Sequence, residues 1–191
     1  VIEGRILPGE RAPEGPFGEF TGYYGPQEMN PVMEVTAITH RRDPIYLAGM
    51  TGVPTTDNHV LKAFAYESVL LENLRNVFPE VVDVAFPDWA GTQYAAVVSL
   101  RQRYKGQARH LILTALGDAA RLKWVIVVDE DVDVHDTEQV MWAAITRSQP
   151  AEDLIVVEGV AGGPLDPSAP EKEVVSLMGL VLAAPAGHII D

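Results

Sequence analysis

The sequence contains no cysteine. Disulfides, thiolate nucleophiles and Cys-based zinc or iron–sulfur sites are therefore excluded, while the redox compartment stays open. Positive charge is also scarce: 14 Lys and Arg stand against 27 Asp and Glu, a net charge of −13. Nucleic-acid binding depends on neutralising phosphates with Lys and Arg, so this balance argues against a nucleic-acid partner and against docking on anionic membranes. No apolar run approaches the ~18 residues that a membrane span needs, and no charged segment followed by an apolar stretch marks a signal peptide. A cytoplasmic location is the expectation that remains.

Several catalytic signatures are missing as well. There is no G-x-x-x-x-G-K-[ST] phosphate loop, no H-E-x-x-H metal helix and no G-x-S-x-G nucleophile elbow. His40, His59, His110, His135 and His188 show no metal-ligand spacing. The acid-rich run VVDEDVDVHD at 127–136 resembles a magnesium-binding strand, but the phosphate loop that reading needs is absent. As a calcium loop starting at Asp129 it would need Gly where Val134 stands. Its acids read more simply as the end of a buried strand leading into a helix N-terminus, where negative charge is stabilised.

What is present is an ordinary core-forming composition, 47% apolar and 21% charged over 191 residues. The chain starts without Met and already in strand-like rhythm, so it reads as the continuation of something longer. VIEGRIL (1–7), MEVTAITHR (33–41) and DPIYLAGM (43–50) are β-rich runs separated by Gly, Pro and Asp, with a turn at 40–44. They predict part of an antiparallel sheet or barrel, too few strands to close one. From about 58 the rhythm changes. Asn58 caps a predicted helix running to Phe78, where Pro79 ends it. Strands are predicted at 81–86, 94–100, 124–128 and 154–158, the last two as buried core strands. Helices are predicted at 104–119 and 136–147, the latter capped by Asp136 with Gln139 as partner. Alternating strands and helices predict a layered α/β domain, and Gly162–Pro170 is too rich in Gly and Pro for an element.

Against these, PEGPFGEF (13–20) stands out. Glu14 and Glu19 lie in a loop stiffened by two prolines and two glycines, with Phe17 between them. A solvated turn is the simple explanation. An apolar wall beside two close carboxylates would instead separate their titrations and position a proton donor, so local chemistry alone leaves a general acid/base pair as an equal alternative. Thr55-Thr56-Asp57-Asn58-His59 is a second polar loop opening a helix, where His59 can face a ligand or simply belong to the cap.

EGPFGEFTGYYG (14–25) resembles the signature loop of the UbiD family of reversible decarboxylases. VIEG (1–4), TGVPTTDNH (51–59), KWVIVVDEDVDVHD (123–136), WAAITR (142–147) and LDPSAP (165–170) follow in the family's order. The resemblance implies an α+β organisation: the end of a flavin-binding split β-barrel at 1–57, then a three-layer α/β C-terminal domain at 58–191 that helps to form a homo-oligomer. It implies Glu19 as the acid that protonates the product carbon after carbon dioxide leaves, with Glu14 as its partner in an Arg–Glu–Glu network. Lys123 would contact the cofactor phosphate, and Thr51, Asp57, Asn58 and His59 would border the substrate pocket. The implied cofactors are prenylated FMN, made by a flavin prenyltransferase, with Mn²⁺ and K⁺. The implied substrate is an aromatic or α,β-unsaturated carboxylic acid.

In the family, the network arginine and the metal ligands come from sequence upstream of VIEG, so they are expected outside these 191 residues. SLMGLV (176–181) is apolar where the family commonly carries Lys and Asp. A non-catalytic assembly subunit of a multi-subunit carboxylase is the alternative these departures support.

Overall fold

The computed structural model describes residues 1–118, 121–163, 165–169 and 174–182. The N-terminal part is a long two-stranded ribbon. β1 (Ile2–Glu14) pairs antiparallel with β2 (Glu28–Ile38), from Ile2 opposite Ile38 to Glu14 opposite Glu28, with register irregularities after Glu3 and Ile6. Its side chains are almost all exposed, so the ribbon has no core of its own.

The third predicted strand, 43–50, does not form. The segment is irregular, and Ile45, Tyr46 and Leu47 are at least 80% exposed. Pro44 cannot donate to a ladder, and no neighbouring strand among the described residues pairs with the rest. The expected partial barrel is thus a ribbon, and no barrel closes among the described residues.

The rest packs around one mixed sheet in the order β3-β4-β5-β7-β6. α1 (Asp57–Val77) starts two residues earlier than a cap at Asn58 predicts, because Thr56 occupies the extended capping position. β3 (Val81–Ala85) runs antiparallel to β4 (Ala95–Leu100), and between them lies a short 3₁₀ turn, Asp88–Ala90. α2 (Gln107–Asp118) starts later than predicted. Gln107 folds its side chain back, and Arg103 N–H donates to its Oε1 at 2.7 Å, holding the preceding turn outside the helix.

β5 (Trp124–Val128) is parallel to β4, and its Val125–Val128 stretch is buried, as a run apolar on both faces requires. α3 (Thr137–Thr146) is capped by Asp136, which accepts from the N–H groups of Glu138 and Gln139, while Gln139 Nε2 donates to Asp136 Oδ2 at 2.9 Å.

After the single turn α4 (Pro150–Asp153), β6 (Leu154–Ala161) forms the sheet edge. This corrects the prediction of a buried strand. Leu154, Val156 and Glu158 are exposed and Ile155 and Val157 only half-buried, and among the described strands β7 (Val174–Leu182) alone pairs with β6. β7 itself lies between β5 and β6, parallel to the first and antiparallel to the second, and contains the apolar SLMGLV run.

Helices cover both faces, making three layers. α1 and α2 pack on one face through Leu70, Leu74, Leu111 and Ile112 against Val98, Val125 and Val127. The other face carries Val97, Ile126, Val128 and Leu182 under Val140 and Ala143 of α3.

Candidate functional site

The loop between β1 and β2 folds back as a tight turn. Gly18 bridges Tyr24, Glu19 N–H donates to Tyr23 O and Gly22 N–H to Glu19 O, each at 2.9 Å, and Gly25 N–H donates to Phe17 O at 3.0 Å. These bonds fix the backbone of Glu19. Its side chain lies beside Gly25, where a Cβ would stand 3.4 Å from Glu19 Cγ, an ordinary contact distance. Glu19 is half-buried, whereas Glu14 at the end of β1 is exposed and accepts a hydrogen bond from Asn30 Nδ2. No hydrogen bond joins the two carboxylates among the described residues.

Phe17, expected as the apolar wall, is 51% exposed; the buried aromatic is its neighbour Phe20. The turn meets the α/β domain at 165–167. Glu19, Tyr24 and Pro26 on one side and Leu165, Asp166 and Pro167 on the other line a crevice of about 60 Å³. Glu19 in the first loop and Leu165, Asp166 and Pro167, far apart in sequence, are thereby brought to one place.

Asp166 connects this crevice to Lys123. Lys123 Nζ lies 2.7 Å from Asp166 Oδ2 and donates to Ser168 Oγ at 2.6 Å. Asp166 Oδ1 accepts from Ser168 N–H and Oγ–H, at 2.9 and 2.8 Å. Asp166 Oδ2 is buried, with the Lys123 ammonium as its partner. Burial pushes the Asp166 pKa upward, but the bonds from Lys123 and Ser168 outweigh it and hold the carboxyl below its usual range.

Lys123 Nζ also lies 5.5 Å from the centroid of the Tyr94 ring. Tyr94 is pushed up to about 12, first by burial and then by the negative charges of Asp166 and Glu19, with Arg121 opposing. Lys62, on α1, is lowered by burial and by Arg121, and raised by Glu19. Glu19, Lys62, Tyr94, Arg121, Lys123 and Asp166 therefore form one electrostatic neighbourhood. Of these, Lys62, Tyr94 and Arg121 carry no sequence signal, since they come from three separate elements with no shared spacing.

The loop 51–59 borders the Glu19 turn, with Val53 against Gly22. Its polar residues hold the loop itself. Asp57 Oδ2 accepts from Met50 N–H at 3.1 Å, and Asn58 Nδ2 donates to Thr51 Oγ1 at 3.1 Å. His59 is fully buried, and both ring nitrogens have partners.

The acid run 129–136 serves the fold. Arg147 makes a bidentate pair with Asp131 at 2.8 and 2.6 Å, Arg101 pairs with Glu130 at 2.6 Å, and Asp136 caps α3. His188 and Pro170 lie outside the described residues.

No group of three His, Asp or Glu among the described residues is arranged for a metal ion, so Mn²⁺ and K⁺ have no complete site among them. For a flavin, Lys123 supplies a partly exposed cation, but the crevice beside Glu19 is far smaller than a tricyclic ring system. The described residues fit one wall of such a site.

Comparison with known families matches residues 59–181 to the 3-octaprenyl-4-hydroxybenzoate carboxy-lyase C-terminal domain, and residues 1–54 to the Rift-related domain of the same carboxy-lyases. The chain belongs to the UbiD family. Over 171 residues it is 40% identical to an uncharacterised protein of Archaeoglobus fulgidus, covering 88% of this chain and 35% of that protein.

Among solved structures it is similar to the UbiD-class enzyme HmfF from Pelotomaculum thermopropionicum in complex with FMN. That match has a TM-score of 0.87 and 39% identity, over 98% of this chain and 41% of that one. An evolved dimeric form of the same enzyme in complex with prFMN gives 0.82 and 37%, over 100% and 41%. The vanillic acid decarboxylase of Sedimentibacter hydroxybenzoicus gives 0.88 and 35%, over 96% and 40%. The UbiD chain described here thus spans about two fifths of the length of these structural relatives. The matching family models are named for carboxy-lyases, one of these relatives is in complex with FMN, and an evolved dimeric form of it is in complex with prFMN.

Proposed function

We propose that this chain supplies the proton-transfer side of a UbiD-type carboxy-lyase acting reversibly on an aromatic or α,β-unsaturated carboxylic acid. The observation that carries this reading is the place of Glu19: half-buried, backbone-fixed, and at the crevice where the ribbon turn meets 165–167. A proton donor must be held within hydrogen-bond reach of its target, and a fixed backbone at the mouth of a crevice supports that role. When bound, prenylated FMN supplies the sink for the electrons released as carbon dioxide departs.

Glu19 then delivers its proton to the carbon that carried the carboxylate, forming the C–H bond and leaving a carboxylate. In the reverse direction it takes that proton. Glu14, held by Asn30, is the second acid of the pair. Lys123, steadied by Asp166 and Ser168, would hold the flavin phosphate. Mn²⁺ and K⁺ would be held by residues outside the described ones, and the enzyme would work as a homo-oligomer.

The test is carbon dioxide release by the full-length, flavin-loaded protein from a panel of aromatic and α,β-unsaturated acids, vanillate included. Release from at least one acid is expected. A well-folded, flavin-loaded oligomer that releases carbon dioxide from none of them would overturn this reading in favour of an assembly role.

A further inference from the structure

Phe20 follows Glu19 directly and is the point at which the Glu19 turn is fastened to the α/β domain. It is 3% exposed, and its ring lies 5.5 Å from that of Tyr94. Lys62 Nζ stands 4.4 Å from the Phe20 ring centroid. On a further side is Gly91, where a Cβ would come within 3.2 Å of the ring. The side chain is therefore enclosed by α1, β4 and the turn after Asp88–Ala90.

The backbone of Phe20 has its own fastening. His59, in the first turn of α1, places Nε2 2.7 Å from Phe20 O. The other nitrogen, Nδ1, receives the Thr56 N–H at 3.2 Å and lies 2.8 Å from Thr56 Oγ1. A backbone N–H can only donate, so Nδ1 is the acceptor and the ring proton sits on Nε2, which donates to the Phe20 carbonyl. His59 is 0% exposed, so its ring touches neither solvent nor the crevice beside Glu19. A buried carbonyl that loses such a donor must either stay unsatisfied or move.

We propose that His59 is a positioning residue for Glu19, fixing the acid through the Phe20 carbonyl without contacting substrate. This rests on the proton-donor reading of Glu19. The bond ties the start of α1 to the residue next to the acid, so movement of Phe20 translates directly into movement of the Glu19 carboxyl. Proton transfer is steep in donor placement, whereas substrate affinity depends on many other contacts.

The experiment compares His59→Ala and His59→Gln in the full-length, flavin-loaded protein. Gln keeps an N–H donor and a carbonyl acceptor on a side chain of similar reach. Two readouts are taken: kcat and KM on an acid from the panel above, and amide hydrogen exchange of residues 17–25. His59→Ala should lower kcat at least roughly tenfold with KM within about twofold, and His59→Gln should restore most of kcat. Exchange at Glu19 and Gly25 should accelerate in His59→Ala and return towards wild type in His59→Gln. Unchanged exchange and kcat in His59→Ala would overturn the proposal, as would a His59→Gln protein as slow as His59→Ala while equally well folded. If no acid in the panel is turned over, the exchange comparison still decides the role of His59, and the failure belongs to the proposed function.

Discussion

Lys123 Nζ and Asp166 Oδ2 lie 2.7 Å apart, with the ammonium one-fifth exposed and the carboxylate almost fully buried. The pair joins the start of β5 to the 165–169 segment, and so holds one wall of the crevice beside Glu19. Removing one member of a buried pair leaves the other charge uncompensated. Lys123→Met should therefore destabilise by about 3 kcal/mol, whereas Lys123→Met with Asp166→Leu should recover much of that loss. Chemical denaturation of the two variants measures both.

The same pair sets an acid limit. The Asp166 carboxyl is held below its usual range in the folded protein, so ionised Asp166 adds stability above about pH 4, the unfolded value. That contribution is lost as pH falls through the lower folded value. Asp166→Asn should flatten the stability profile below about pH 4 while lowering stability near neutrality. An acid profile identical to wild type would contradict the assignment.

At the alkaline end, Tyr94 governs a separate window. Its phenol is pushed up to about 12, chiefly by burial, so the folded state favours the neutral form. The stability this adds is fully present below the unfolded value of about 10, and is lost as pH rises towards the folded value. Tyrosinate absorbance should show one late-titrating tyrosine that is missing in Tyr94→Phe. Stability of Tyr94→Phe should decline less than wild type between about pH 10 and 12.

Gly179 marks where the apolar SLMGLV run is packed. A Cβ there would overlap Ile112 Cγ2 on α2, which is itself completely buried. Gly179→Ala should cost about 1–3 kcal/mol by overpacking, and Ile112→Val in the same protein should relieve part of it. Thermal unfolding of the single and double variants checks this.

Legibility in the sequence followed periodicity. The apolar run 124–128 and the spacing of Leu71, Leu74 and Phe78 placed β5 and α1 closely, because burial on two faces or on one stripe leaves a periodic trace. The segment 43–50 has strand composition but no partner, and composition does not report pairing. β6 reads as buried because LIVV (154–157) is uniformly apolar, yet it forms the sheet edge. Glu19 was visible through its loop chemistry and its motif. Lys62, Tyr94 and Arg121 around it were not, since they converge on it only through the fold. His59 was visible as a loop polar residue, but its bond to the Phe20 carbonyl spans 39 residues and leaves no local mark.

The central claim is that Glu19 moves the proton. Glu19→Gln keeps the size and most hydrogen bonds of the side chain while removing the transferable proton. In the full-length, flavin-loaded protein, carbon dioxide release and product formation should fall by roughly 10²–10⁴-fold with flavin content unchanged. Product formed at the wild-type rate by a Glu19→Gln protein that retains its flavin would contradict the account.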